Sequence, residues 1–397
     1  MSGSITSMPS RKPGESEDDY HIRSSRARLV DRESWYRAHL SKSRSRHDKR
    51  ATLKEAVQQH VQDGDIISDS GFTWVRGCWQ AMCEILRQGR SNLSVVGSPM
   101  AVAGPLSVLG AAKYLHNSYV GAEMRGLDRM FSVAVKEKMV EIVSEWGHGA
   151  QALGFKAAQL GIPFAAGKQM LGSDMIKYNP YVKVIPNPLQ ENESPVCLIP
   201  ALYPDIVFIH VQQADKFGNA RIWGPVVNDV ALSVAARKVV ITCEEIVPES
   251  DMRNNQSSNC IPFLYVDAVV ELPFGAVPGM CPGHYYWNRE WWEKGVRIMG
   301  RDRQAYLQWA DKYVYSCRDQ FDFVDKIGGG SRHLINLRKL TLAAEGVLEP
   351  DNVDYGYDEV TASRPAWRYP WETDFEAEKA RLLEQIDRLL ELEKEGR

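Results

Sequence analysis

The sequence predicts an α/β fold built as an open, mostly parallel sheet with helices on both faces. Short runs rich in Val and Ile recur along the chain, each flanked by stretches of helical spacing. That rhythm belongs to strands buried on both faces by crossover helices. No repeat of fixed short period interrupts it, and no apolar run reaches the roughly 18 residues needed to span a bilayer. With 44% hydrophobic and 25% charged residues, the chain has the make-up to bury a substantial core.

The 397 residues divide by charge. Residues 1–50 carry 12 Lys/Arg and 7 Asp/Glu in a Ser/Arg-rich string, and residues 351–397 carry 7 basic and 13 acidic groups. The middle is nearly neutral, so we expect a folded domain over 51–340 between a basic extension, 1–50, and an acidic one, 341–397. The basic extension reads as a weakly ordered tail, with Leu29-Val30 and Trp35-Tyr36 able to dock on the body or on a partner. In the acidic extension, Phe375, Leu382, Ile386 and Leu389 form the stripe of an amphipathic helix. A net charge of −3 argues against a chain that coats nucleic acid or an anionic membrane.

Within the body, a helical stretch from Leu53 to Gln62 leads through Asp63-Gly64 into a strand over Asp65 to Ser70. Gly71-Phe72-Thr73 follows, then a helix whose face is Val75, Trp79, Met82 and Leu86, with Thr73 as expected N-cap and Gly89 as stop. Leu93 to Val96 is the next strand. It ends in Gly97-Ser98-Pro99 and feeds a helix over Pro105 to Ala112. Further strands are expected at Lys113–Tyr119, Glu141–Ser144, Ile206–Val211, Val239–Cys243 and Ala268–Leu272. Helices are expected at Gly149–Leu160 and Val226–Ala236. Ligands of such folds bind at the carboxyl ends of strands, which points to Ser70–Thr73, Gly97–Ser98 and Ser144–His148.

Other chemistries lack their residues. There is no GxGxxG, no GxxxxGK[ST] and no CxxC pair. The seven cysteines are scattered and odd in number, so they read as reduced thiols in a cytoplasmic protein, with neither disulfide framework nor metal site. His210, ending an apolar strand, has a satisfied core histidine as its default. Glu244-Glu245 reads as fold support or subunit contact, Gly328-Gly329-Gly330 as a hinge, and the cluster around Tyr285-Tyr286, Trp287, Trp291 and Trp292 as core or partner surface.

A set of ordered segments carries a resemblance. These are Gly64-Asp65 with Ser70-Gly71-Phe72-Thr73, Glu84 to Gly89, Leu160-Gly161-Ile162-Pro163-Phe164, and His210 to Asp215. Gly218 to Gly224, Thr242 to Ile246, Val266 to Val270 and Arg332 to Leu337 follow. In this order and spacing the chain resembles the A (alpha) subunit of class I CoA-transferases, of the glutaconate CoA-transferase type. The resemblance implies the CoA-transferase fold, related to that of sugar-phosphate isomerases. It implies coenzyme A as substrate, with no permanently bound cofactor, and acyl-CoA and a carboxylic acid as reactants.

It also implies a hetero-oligomer. In the family the acyl-CoA carbonyl is attacked by a glutamate of the B (beta) subunit, and a glutamyl-CoA thioester forms through mixed anhydrides. That glutamate lies in a Ser-Glu-Asn-Gly-type motif, which this sequence does not hold in the matching context. Ser144-Glu145-Trp146-Gly147 looks similar, but the helix and Leu160-Gly161-Ile162-Pro163 after it correspond to the A-half segment lining the shared site. Glu145 is therefore read as a cleft residue, able with His148 to serve as general acid or base, with Trp146 beside it; capping the next helix is the alternative. The Ser70–Thr73 loop, where Gly71 permits close backbone approach, is expected to present amides to an oxyanion. Ser70 stands where the family has the first of two glycines, which puts that role in question. The same scaffold also carries CoA-thioester hydrolases, decarboxylases and non-catalytic regulators.

Overall fold

The computed structural model describes residues 9–97, 102–121, 128–190, 193–286 and 302–328. Seven parallel strands form its centre. Ile66–Asp69 (β1), Leu93–Val96 (β2), Ala112–Asn117 (β3) and Glu141–Glu145 (β4) lie side by side in that order. On the other side of β1 the sheet continues through Ile206–Ala214 (β8), Lys238–Ile246 (β10) and Ala268–Glu271 (β12), all parallel. The chain thus builds outward from β1 in one direction and returns to build from β8 in the other. The switch point, between β1 and β8, is where open sheets leave a crevice at their carboxyl ends.

Two short strands, Ala220–Arg221 (β9) and Asn259–Ile261 (β11), add antiparallel pairing beyond the end of β8. Phe164–Gly167 (β5), Lys183–Ile185 (β6) and Val196–Pro200 (β7) make a separate antiparallel sheet that the sequence did not announce, with the short helix Met175–Tyr178 (α8) between β5 and β6. At the outer side of β12 the arm Lys49–Ala51 runs alongside the strand, with Ala51 N–H donating to Val269 O and Val269 N–H to Lys49 O, both at 2.9 Å.

Both faces of the sheet are covered, as the Val/Ile runs require. One face holds Ile67, Val95, Leu115, Phe208, Val240 and Val270 against Leu53–His60 (α3), Trp79–Arg87 (α4), Ala103–Val108 (α5) and Arg129–Lys136 (α6). The other holds Ile66, Val96, Val207, Ile209 and Ile241 against His148–Gln159 (α7) and Asp229–Ala235 (α9). Alternation of neighbouring residues between two cores is the period-2 consequence of strand geometry. α3 starts on a capping box in which Glu55 N–H donates to Thr52 Oγ1 and Thr52 N–H to Glu55 Oε2.

The basic extension is not a weakly ordered tail where it is described. Glu17–Leu29 (α1) and Arg32–Ser41 (α2) are helices on the α7/α9 face, with Leu29 and Trp35 in its core. Few apolar residues signalled this, because ion pairing and hydrogen bonding carry much of the docking. Arg28 pairs with the buried Asp205 and donates to Gly64 O, while Arg237 donates to Arg28 O and Asp31 O. The stripe of Phe375, Leu382, Ile386 and Leu389 lies outside the described residues, as do Ser98, Trp287, Trp291 and Trp292.

No disulfide joins the seven cysteines, all of which are described. No described helix is long and apolar enough to cross a membrane.

Candidate active site

The loop after β1 is not the start of a helix. α4 begins only at Trp79, with Cys78 as N-cap, so Thr73 does not cap it. Thr73 instead takes φ +54, a left-handed conformation that a β-branched residue rarely adopts, and Arg76 takes φ +58. The helical spacing of Val75, Trp79, Met82 and Leu86 misled because its first member lies in this turn. Gly71 is required: φ is +92, and a Cβ there would sit 2.3 Å from Val75 O. Ser70 has no left-handed backbone, so the position does not need glycine, and its N–H donates to Phe208 O at 3.0 Å.

Phe72 and Val75 exchange backbone hydrogen bonds of 2.8 and 2.9 Å. The Phe72 amide is therefore engaged inside the loop and does not face an oxyanion. What holds the loop is a buried ion pair. Arg76 donates Nη1 to Asp229 Oδ1 (2.7 Å) and Nη2 to Oδ2 (3.1 Å), and also donates to His210 O and Pro225 O. Burial alone would raise the Asp229 carboxyl, but the guanidinium more than offsets it and holds the group below its ordinary range.

On the far side of β2 and β3, the chain leaves β4 through Glu145, Trp146 and Gly147 into α7. Gly147 is the N-cap and makes no side-chain cap bond, so Glu145 does not cap the helix. The Glu145 side chain is half-buried and has no ion-pair or hydrogen-bond partner among the described residues, while its carbonyl accepts Asn179 Nδ2 at 2.6 Å. Trp146 is buried, stacked on Tyr181 at 5.6 Å. His148, the first residue of α7, has its pKa lowered by burial and meets the Phe72 ring edge-on at 6.3 Å. Loop 70–73 and turn 145–148 are thus brought together across two intervening strands. Gly97 ends β2 between them.

Asp69, which drew no attention in the sequence, is the last residue of β1 beneath this loop. Among the described residues its Oδ1 is buried without a partner, as are Asn117 Oδ1 and Ser118 Oγ at the end of β3. Orphaned polar atoms are rare in interiors and collect where water or a ligand completes them. Burial pushes the Asp69 carboxyl up to about 8, Asp229 adding to the shift and the Cys78 amide opposing it. No sequence pattern could have marked it, because the shift comes from its place at the switch point.

The folded state keeps a proton that the unfolded chain releases from its ordinary value of 3.8 upward, so stability falls as pH rises from about 4 to about 8 and then levels. Asp69→Asn is expected to abolish this slope. The melting temperature of the wild type, relative to the variant, should decline steadily between pH 5 and 8, and a constant difference would count against a protonated Asp69.

The remaining marked residues are structural. His210 is buried, with Nδ1 2.9 Å from Thr242 Oγ1 and Nε2 2.7 Å from Glu244 Oε1. Glu244 also accepts Tyr285 OH at 2.6 Å and Phe274 N–H at 2.8 Å. Donor atoms of His210, Glu244 and Cys281 lie within 4.8 Å of one another. The hydrogen bonds already filling Glu244 make this cluster a buttress rather than an open metal site. Glu245 is exposed, within 3.0 Å of Gln213 Nε2.

A parallel sheet with a glycine-dependent loop and a carboxylate-bearing turn meeting at the carboxyl ends of its strands places the chain among α/β proteins, whose ligands bind at that end. Residues 50–272 match the family model for coenzyme A transferase. The chain is 32% identical over 282 residues to the A subunit of 3-oxoadipate CoA-transferase from Pseudomonas knackmussii, covering 70% of this chain and 98% of that one. It is 30% identical over 307 residues to the A subunit of glutaconate CoA-transferase from Acidaminococcus fermentans, covering 72% and 93%. The crystal structure of glutaconate CoA-transferase from that organism superposes with a TM-score of 0.68 at 29% identity, covering 73% of this chain and 95% of the solved one. The chain belongs to the coenzyme A transferase family, and within it to the A-type subunits.

Proposed function

We propose that the chain is the A-type component of a heteromeric CoA-transferase that moves coenzyme A between an acyl-CoA and a carboxylic acid. The observation that supports this is the meeting of Phe72 and His148, which brings loop 70–73 to the turn carrying Glu145, whose carboxylate has no partner among the described residues. A partner of the B type supplies the nucleophile. Its glutamate attacks the thioester carbonyl and expels CoA thiolate, giving a mixed anhydride. The thiolate then attacks the glutamyl carbonyl and releases the carboxylic acid, and the second acid reverses these steps.

In this reading Ser70–Thr73 and Gly97 border the acyl site, and the buried Trp146 backs its wall without lining it. Water must be excluded, since the anhydride would otherwise hydrolyse. Glu145 and His148 hold or move a proton at the cleft. The names of the two transferase relatives, both of the A type, support the pairing with a B-type polypeptide.

Hydrolysis of a CoA thioester is the second reading. It is favoured by the Glu145 carboxylate, which has no partner among the described residues and the make-up of a base for water; a relative 24% identical, named the cholesterol ring-cleaving hydrolase IpdA subunit of Rhodococcus jostii, is a hydrolase subunit though not one named for thioesters. One experiment separates them. The purified complex is incubated with glutaryl-CoA as probe, treated with borohydride, and its partner subunit is examined by peptide mass spectrometry. A glutamate reduced to the alcohol is the expected result; free CoA release with an unmodified partner would overturn transfer in favour of hydrolysis.

A further inference from the structure

A chain of buried hydrogen bonds runs from the N-terminal extension to the turn that carries Glu145. Ser25 Oγ of α1 lies 2.6 Å from His116 Nε2, and His116 Nδ1 lies 2.8 Å from Ser144 Oγ. Trp146 Nε1 donates to the same Ser144 Oγ at 2.8 Å. Ser25, His116, Ser144 and Trp146 are each 2% exposed or less. The donor inventory sets one direction, and a fully used chain sets the rest. The indole has a hydrogen to give and nothing to accept with, so Ser144 accepts from it; the arrangement that also uses the Ser144 O–H directs it to His116 Nδ1. In that arrangement the hydrogen sits on Nε2, which donates to Ser25. Burial pushes the His116 pKa down to about 3, so the ring is neutral, as this arrangement needs.

Further bonds brace the same place. Arg26 Nη2 donates to Val143 O (3.1 Å), Tyr181 OH to Arg26 O (3.3 Å), and Gln151 Nε2 to His116 O (2.8 Å). Tyr181 is the ring on which Trp146 stacks. Asn117, beside Glu145 in the strand register, accepts Trp146 N–H at its carbonyl. The turn is thus gripped at its strand, its indole and its stacking partner, and α1 reaches all three. α1 precedes residues 50–272, which match the family.

We propose that Ser25, His116 and Ser144 are positioning residues, through which the N-terminal helix fixes the Trp146 indole and with it the orientation of the Glu145–His148 turn. The inference rests on the reading of that turn as part of the active site. It gives the extension a task in catalysis: a helix outside the matched residues sets the geometry of a cleft residue inside them.

The test uses the full chain in complex with its partner subunit, labelled with 5-fluorotryptophan, the residue 146 resonance being assigned with Trp146→Phe. Ser25→Ala and Ser144→Ala are expected to move and broaden that resonance. They should lower kcat for glutaryl-CoA about tenfold while KM changes less than threefold, and Ser25→Thr, which keeps the hydroxyl, should restore both. In a Glu145→Gln background the same substitutions should lower kcat little further, because they act through that residue; additive losses would point to a general structural effect and overturn the proposal. An unmoved resonance and unchanged kcat in Ser25→Ala would also overturn it. A moved resonance together with full activity of Glu145→Gln would support the hydrogen-bonded chain and reject instead the placing of Glu145 in the site.

Discussion

Arg76→Met is expected to cost about 3–5 kcal/mol of folding stability, the range for breaking one side of a buried ion pair. Asp229 is then left charged and enclosed, with both guanidinium hydrogen bonds gone and the Val227 N–H still donating to Oδ2. Arg76→Lys should rescue little, since an ammonium cannot reproduce the two-pronged geometry or also reach His210 O and Pro225 O. Arg76→Met combined with Asp229→Leu should be more stable than Arg76→Met alone, because no orphaned charge remains. Denaturant midpoints on the three variants measure this. A loss below about 1 kcal/mol for the single variant would show that the pair does not hold the loop. Activity should fall as well, since Arg76 pins the turn that places Phe72 against His148.

Glu145→Gln, measured in the complex with the partner subunit, is expected to lower kcat at least tenfold. Proton transfer by a placed side chain contributes roughly 10²–10⁴-fold, and the lower expectation allows for a partner that supplies the nucleophile. The amide keeps the shape of the carboxylate, so KM for the acyl-CoA probe should change little. Unchanged kcat and KM would remove Glu145 from the site.

The frame of this molecule can be read from its strands. Ile66-Ile67, Val95-Val96, Ile206 to Ile209, Val239 to Ile241 and Val269-Val270 are apolar without alternation, because both faces of the sheet are covered. The small sheet of β5, β6 and β7 escaped notice because Phe164-Ala165-Ala166-Gly167 is short and largely exposed, with no periodicity to betray it. The N-terminal helices escaped for another reason. They are polar by composition, and what docks them is Arg28 on Asp205 and Ser25 on His116, partners 177 and 91 residues away.

The site shows the same division. Gly71 and the segment from Ser144 to His148 stood out because residue types and strand ends mark them. Thr73 was misplaced at a helix start, since a Thr before an apolar stripe looks like a cap; only the left-handed backbone of Thr73 and Arg76 shows otherwise. Asp69 owes its interest to burial. His116 owes its to two serines, one on the adjoining strand and one on a helix far away in the chain. Neither property exists before the chain is folded.

The arm along β12 has a bearing on handling as well as on architecture. Parallel sheets end in rows of unpaired amides and carbonyls that can recruit a neighbouring molecule. Here Lys49 and Ala51 occupy that row at Val269. Trimming the polypeptide to begin at Leu53 would bare this margin together with the core surface that Leu29 and Trp35 cover, so the shortened protein should clump where the longer one stays dispersed.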